Sequence, residues 1–172
     1  MRRNALCELY ELGYGRLPNV VTSIEFERIL SATGPFQGVL QRLSDGAHPQ
    51  KIAFIQCVGS RDAKHNRPYC SSVCCTYAIK EAMIAKEHST VPLDITIFFM
   101  DLRTYGKDFD RYYERAEEEI GVRFVRSKVY SVEAVDSTGD LVVKFTTEDG
   151  AIKIEKFSMV VLSLGFQSSP EL

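Results

Sequence analysis

Residues 51–86 read KIAFIQCVGSRDAKHNRPYCSSVCCTYAIKEAMIAK. The short apolar run through Ile52 and Ile55 predicts a buried strand over Lys51–Cys57. A polar loop follows, and a helix is expected from about Cys70. Strand, loop and helix start form the place where a dinucleotide-binding unit carries its Gly-rich phosphate loop. This loop keeps Gly59 but lacks the other glycines that let a pyrophosphate approach the backbone. Four of the five cysteines stand there instead: Cys57, Cys70, Cys74 and Cys75.

The spacing of those thiols suggests their chemistry. Cys70 and Cys74 are four apart, so a helix would put both on one face about a turn from each other. Cys75 is turned about 100° away, near enough to the helix start to reach the same centre. Cys57 would arrive from the strand, across a twelve-residue loop. Four converging thiolates make a tetrahedral soft-ligand site, which suits an iron–sulfur cluster or zinc. A net-negative centre at a helix N-terminus is also favoured by the free N–H groups and the helix dipole. Gly59, Ser60 and Asn66 supply a donor-rich loop for hydrogen bonds to sulfur. Three other readings stay open on spacing alone. The cysteines can be small core hydrophobes, although four within nineteen positions fit that poorly. Structural zinc usually takes two close Cys/His pairs, and in this chain the first ligand stands alone. A redox dithiol normally shows C-x-x-C, which is missing.

The run IAFIQCVGSRD, with YCSSVCC and AIKEA, resembles the A-type flavoprotein subunits of heterodisulfide reductase and their relatives. The resemblance extends to YGRLPNVVTSIEFERIL upstream and to FFMDLRTYGKDF and VVLSLG downstream. It implies a thioredoxin-reductase-like core whose second dinucleotide domain holds a [4Fe–4S] cluster on C-x(n)-C-x3-C-C. Matched position by position, that pattern falls on Cys57, Cys70, Cys74 and Cys75. The implied role is electron relay between a flavin and iron–sulfur centres. Its partners would be the FAD-binding domain of the parent chain and other heterodisulfide-reductase-type subunits. Gly59, Ser60 and Gly165 are the expected cofactor-contacting positions, and no catalytic residue is expected in this stretch.

Composition sets the remaining bounds. The 172 residues, 45% apolar, suffice for one ordinary domain with flanking pieces. The net charge of −2 gives no electrostatic reason to expect nucleic acid or an anionic membrane as partner. No apolar run approaches the ~18 residues of a membrane span. Glu8 and Glu11 interrupt any signal-peptide core near the N-terminus. Clustered thiols without an export signal point to a reducing cytoplasm.

The rest of the chain fits an α/β, Rossmann-like fold of the thioredoxin-reductase NAD-domain kind, a parallel sheet with a β-meander. Cys7 reads as a structural thiol among helically spaced leucines. Gly13-Tyr-Gly15 begins a glycine fingerprint that Pro18 ends, and reads as a turn. Thr22-x-x-Glu25 is a capping-box signature for a short helix. Residues 34–50 read as a linker. Residues 1–45 are therefore expected to be a stump of the flavin-binding domain with its linker, 46–163 the Rossmann-like cluster-binding domain, and 164–172 a return stump. No flavin fingerprint occurs in the sequence, so the chain resembles an excised or reduced relative. Leu93–Met100 predicts a strand, and Asp101 after it is a ribose-binding candidate, more simply a loop carboxylate. A helix over Phe109–Glu119 and a strand over Val122–Val125 follow. Val129–Val135, Leu141–Thr146 and Ala151–Phe157 alternate as a meander, expected to cover one edge of the domain. Met159–Leu162 re-enters the sheet.

Overall fold

The computed structural model describes residues 9–63, 66–135 and 138–166. The elements that position the site are β1 (Val20–Thr22), α1 (Ser23–Leu30), β2 (Lys51–Val58), α2 (Cys74–His88), β3 (Asp94–Phe99), α3 (Phe109–Glu118), β4 (Arg123–Arg126), β5 (Val129–Ala134), β6 (Leu141–Thr146), β7 (Ile152–Phe157) and β8 (Met159–Leu164). Five of the strands form a parallel sheet in the order β1-β8-β2-β3-β4. The other three form an antiparallel sheet in the order β5-β6-β7.

Alternation along the central strands assigns the two faces. Ile52 and Phe54 of β2, with Met159 and Val161 of β8, join a core with Phe26 of α1, Ala78 and Ile79 of α2 and Ala116 of α3. Ala53, Ile55, Val160 and Leu162 point the other way, into a core shared with Val132, Val143 and Phe157 of the meander. Strands buried on both faces read as continuous apolar runs, as these do. Phe98 of β3 seats the meander, its ring 4.7 Å from that of Phe145 and 5.9 Å from that of Phe157. The meander thus covers a face of the parallel sheet, where the sequence pointed to an edge. Alternation identifies which side chains turn inward but not the surface they meet.

Residues 20–30, assigned by sequence to the preceding stump, supply the edge strand β1 and a helix in the same core. The α1 capping box forms: the Glu25 amide donates to Thr22 Oγ1 at 3.3 Å and the Thr22 amide to Glu25 Oε2 at 2.7 Å. Just before β1, the fully buried Asn19 donates from Nδ2 to Gly139 O at 2.7 Å and to Ser44 Oγ at 2.9 Å, and accepts the Ser44 amide at 3.1 Å. One amide therefore ties the sheet edge to two loops 25 and 120 residues away. Asn19→Ala strands those partners, and should cost about 1–3 kcal/mol in urea unfolding while leaving the meander's strand content by circular dichroism unchanged.

Candidate metal centre

The centre lies at the C-terminal end of the parallel sheet, where open α/β sheets place their ligands. Strand β2 runs one residue past the expected end. Its pairing with β8 shifts register between Ile55 and Val58. Within that irregularity Cys57 adopts φ +63°, the left-handed region. A side chain held there costs energy and re-aims the strand, a combination found at functional sites. Beyond it the loop closes on itself. The Asp62 amide donates to Arg67 O at 2.7 Å, the Arg67 amide to Asp62 O at 2.8 Å, and the Arg61 amide to Tyr69 O at 2.9 Å.

Helix α2 begins at Cys74, four residues later than expected. Ser72 at φ +65° breaks the chain direction, so Cys70 stands before the helix and shares no helical face with Cys74. Its sulfur instead accepts the Ser72 amide at 3.4 Å. Cys74 and Cys75 occupy the first turn. The Cys74 thiol donates to Leu164 O at 3.6 Å and the Cys75 thiol lies 4.0 Å from Asp101 O. All four thiols are free; Cys57, Cys74 and Cys75 are buried and Cys70 is partly exposed. Cys7 lies outside the described residues.

Burial pushes the Cys57 thiol up to about 11, helped by the charges of Cys75, Cys74 and Cys70 and opposed by Arg61. Burial likewise raises Cys74 and Cys75, whose thiols also feel the charge of Cys70. The four sulfurs therefore share one electrostatic neighbourhood. Among the described residues, no group of three or more His, Cys, Asp or Glu is placed to hold a single metal ion. A mononuclear tetrahedral site with Zn–S of about 2.3 Å would need sulfurs about 3.8 Å apart.

The other expected positions fall close by. Ser60 is buried and its amide donates to Cys57 O at 3.2 Å. Gly59 adopts φ +75°. Gly165 is a close-approach glycine: an added Cβ would lie 2.6 Å from Ser60 Cβ and 3.0 Å from Ser71 Oγ. Its amide donates to Val58 O at 2.8 Å, and the next amide, of Phe166, to Ser71 Oγ at 2.8 Å. Asp101 is bound by arginines: Arg61 at 2.7 Å, Arg126 at 3.4 Å and Arg103 at 3.7 Å.

Three residues of the site carry no motif of their own. Tyr77 donates to Leu164 O at 2.9 Å, beside Cys74. Arg61 and Arg103 bring positive charge to Cys57 and Cys75 respectively. Arg61 and Arg103 lie three and four residues past the ends of β2 and β3, where no local sequence signal singles them out. Next to the centre, α1 and α2 enclose a groove of about 560 Å³, lined by Ser23, Tyr77, Glu81, Ile84, Leu164 and Phe166 among others.

A parallel sheet with helices on one face, a meander on the other and four thiols in the phosphate-loop position defines a Rossmann-like domain with a thiol centre. No family model matches the chain. Over nearly its whole length it is similar to the A-type, iron–sulfur subunits of heterodisulfide reductase. One such subunit of the CoB–CoM heterodisulfide reductase of Methanopyrus kandleri is 44% identical over 161 residues, covering 92% of this chain and 24% of that protein. Its counterpart in Methanocaldococcus jannaschii is 42% identical over 164 residues, covering 94% and 24%. The chain thus spans about a quarter of the length of the relatives it matches. Among solved structures it is similar to thioredoxin reductase from Lactococcus lactis, with a TM-score of 0.46 and 18% identity over 71% of this chain and 33% of that one. No helix among the described residues is long and apolar enough to cross a membrane.

Proposed function

We propose that this domain carries a [4Fe–4S] cluster on Cys57, Cys70, Cys74 and Cys75, and serves as an electron relay in a heterodisulfide-reductase-type assembly. The observation that carries the reading is the gathering of four free thiols, from β2, the loop after it and the first turn of α2, in a chain whose relatives are named iron–sulfur subunits. The cluster supplies reversible one-electron storage when bound. The residues do the rest. Cys57 reaches in from the bulge, the Ser72 amide supports the Cys70 sulfur, and burial of Cys57, Cys74 and Cys75 keeps water away. The Cys57 thiol, pushed up to about 11 by burial, and the Cys74 and Cys75 thiols, raised by the same cause, stay protonated until metal displaces the proton, so loading releases acid and is favoured by high pH. The relay would join a flavin in the parent chain to iron–sulfur centres of partner subunits.

Anaerobic reconstitution with iron and sulfide is the test. The expected product has broad visible absorption, about four iron per chain, and an EPR signal that appears on reduction with dithionite. Uptake of zinc alone, or cysteines recovered as disulfides with no iron bound, would sink the proposal.

A further inference from the structure

Three guanidinium groups converge on one carboxylate at the rim of the thiol centre. Asp101 binds Arg61, Arg126 and Arg103, so the group keeps an excess of positive charge. Arg61 differs from the other two. Its side chain is 21% exposed, against 63% for Arg126 and 37% for Arg103. Its backbone is pinned at φ +55° by the bond from its amide to Tyr69 O. Its Nη2 is held by Asp101, while its Nη1 is buried and meets no hydrogen-bond partner. An orphaned buried donor of a charged group is expensive and calls for a reason. Arg61 and Cys57 line the same cavity of about 260 Å³.

We infer that Arg61 is the charge-compensating residue of this centre: clamped by Asp101, it offers its free Nη1–H to the sulfurs and eases acceptance of an electron there. The inference rests on the cluster reading above. Four thiolates gather negative charge, and one electron from a donor such as dithionite adds one more unit to it. A fixed guanidinium in a poorly solvated site lowers the cost of that added charge more than water does, because its dipoles and charge need no reorganisation. Asp101 prevents the long side chain from swinging out to solvent. Arg103 acts from the opposite loop, toward Cys75 and Cys70, with greater exposure and so a weaker hold.

The test is a redox titration of the reconstituted protein followed by EPR, with iron content measured in parallel. Arg61→Gln is expected to keep its iron and to lose about tenfold in the equilibrium constant for reduction, a fall of about 59 mV for one electron. Arg61→Lys, which restores the charge without the fork, should recover most of that loss. An unchanged potential in Arg61→Gln at full iron content overturns the inference. If Arg61→Gln loads too little iron to titrate, Arg103→Gln decides: a smaller fall in the same direction supports the inference, and no fall overturns it. Failure of the unsubstituted protein to take up iron would instead overturn the cluster reading, and this inference with it.

Discussion

Single replacement of Cys57, Cys70, Cys74 or Cys75 by Ala is expected to cut the iron retained after anaerobic reconstitution and desalting by more than about tenfold. Loss of an outer-shell contact already costs a metal site about 10–100-fold, and a direct ligand must cost more. The four losses should not look alike in the apo protein. Cys74 and Cys75 are buried in the first turn of α2, and their removal leaves small cavities under the helix start. Cys70 is partly exposed and outside the helix, so its removal should leave the melting temperature unchanged. Cys57 sits at φ +63°, a conformation that favours Gly over Ala. Cys57→Gly should therefore melt higher than Cys57→Ala, although both lose the iron. Cys7→Ala serves as the control and should keep its iron. Iron analysis and thermal melting on the same preparations check all of this. Full iron in Cys75→Ala together with loss in Cys7→Ala would show that the ligand set has been misassigned.

The sheet was legible where a period of two or a long apolar run left little choice. Strands β2 and β8 carry apolar side chains on both faces, and the meander alternates with turn residues between its strands. The capping box of α1 was legible because Thr22 and Glu25 satisfy each other within four residues. Long-range placement was not. The face taken by the meander depends on Phe98 meeting Phe145 and Phe157, residues 47 or more positions apart. The start of α2 was misplaced because the helical spacing from Cys70 to Cys74 is the same whether or not the chain turns at Ser72, which adopts a left-handed conformation without being Gly. The thiols were legible as a group, whereas Arg61 was not: its role depends on Asp101, forty residues away, and on a bulge that no local propensity encodes.

A pH dependence of stability should arise from one carboxyl group that the sequence shows inside an apolar stripe, AIKEAMIA. Glu81 is 6% exposed, on the α2 face that also carries Ala78 and Ala82. Its Oε2 is buried without a hydrogen-bond partner. Burial, then the charge of Glu27 on α1, push it from 4.5 to about 8, with Lys80 opposing. Tyr77 beside it is raised as well, chiefly by burial, and adds no charge near neutrality. A carboxyl whose folded value lies above its unfolded value binds its proton more tightly in the native state. The stabilisation this gives is fully present below about pH 4.5 and is lost as pH rises toward about 8. Glu81→Gln keeps the shape of the neutral acid but cannot ionise. It should match the unsubstituted protein near pH 4.5 and exceed it by on the order of 4–5 kcal/mol above pH 8. Urea unfolding of both proteins across that range is the measurement. Parallel curves would mean that Glu81 ionises freely in the folded state, through water that reaches it from the groove between α1 and α2.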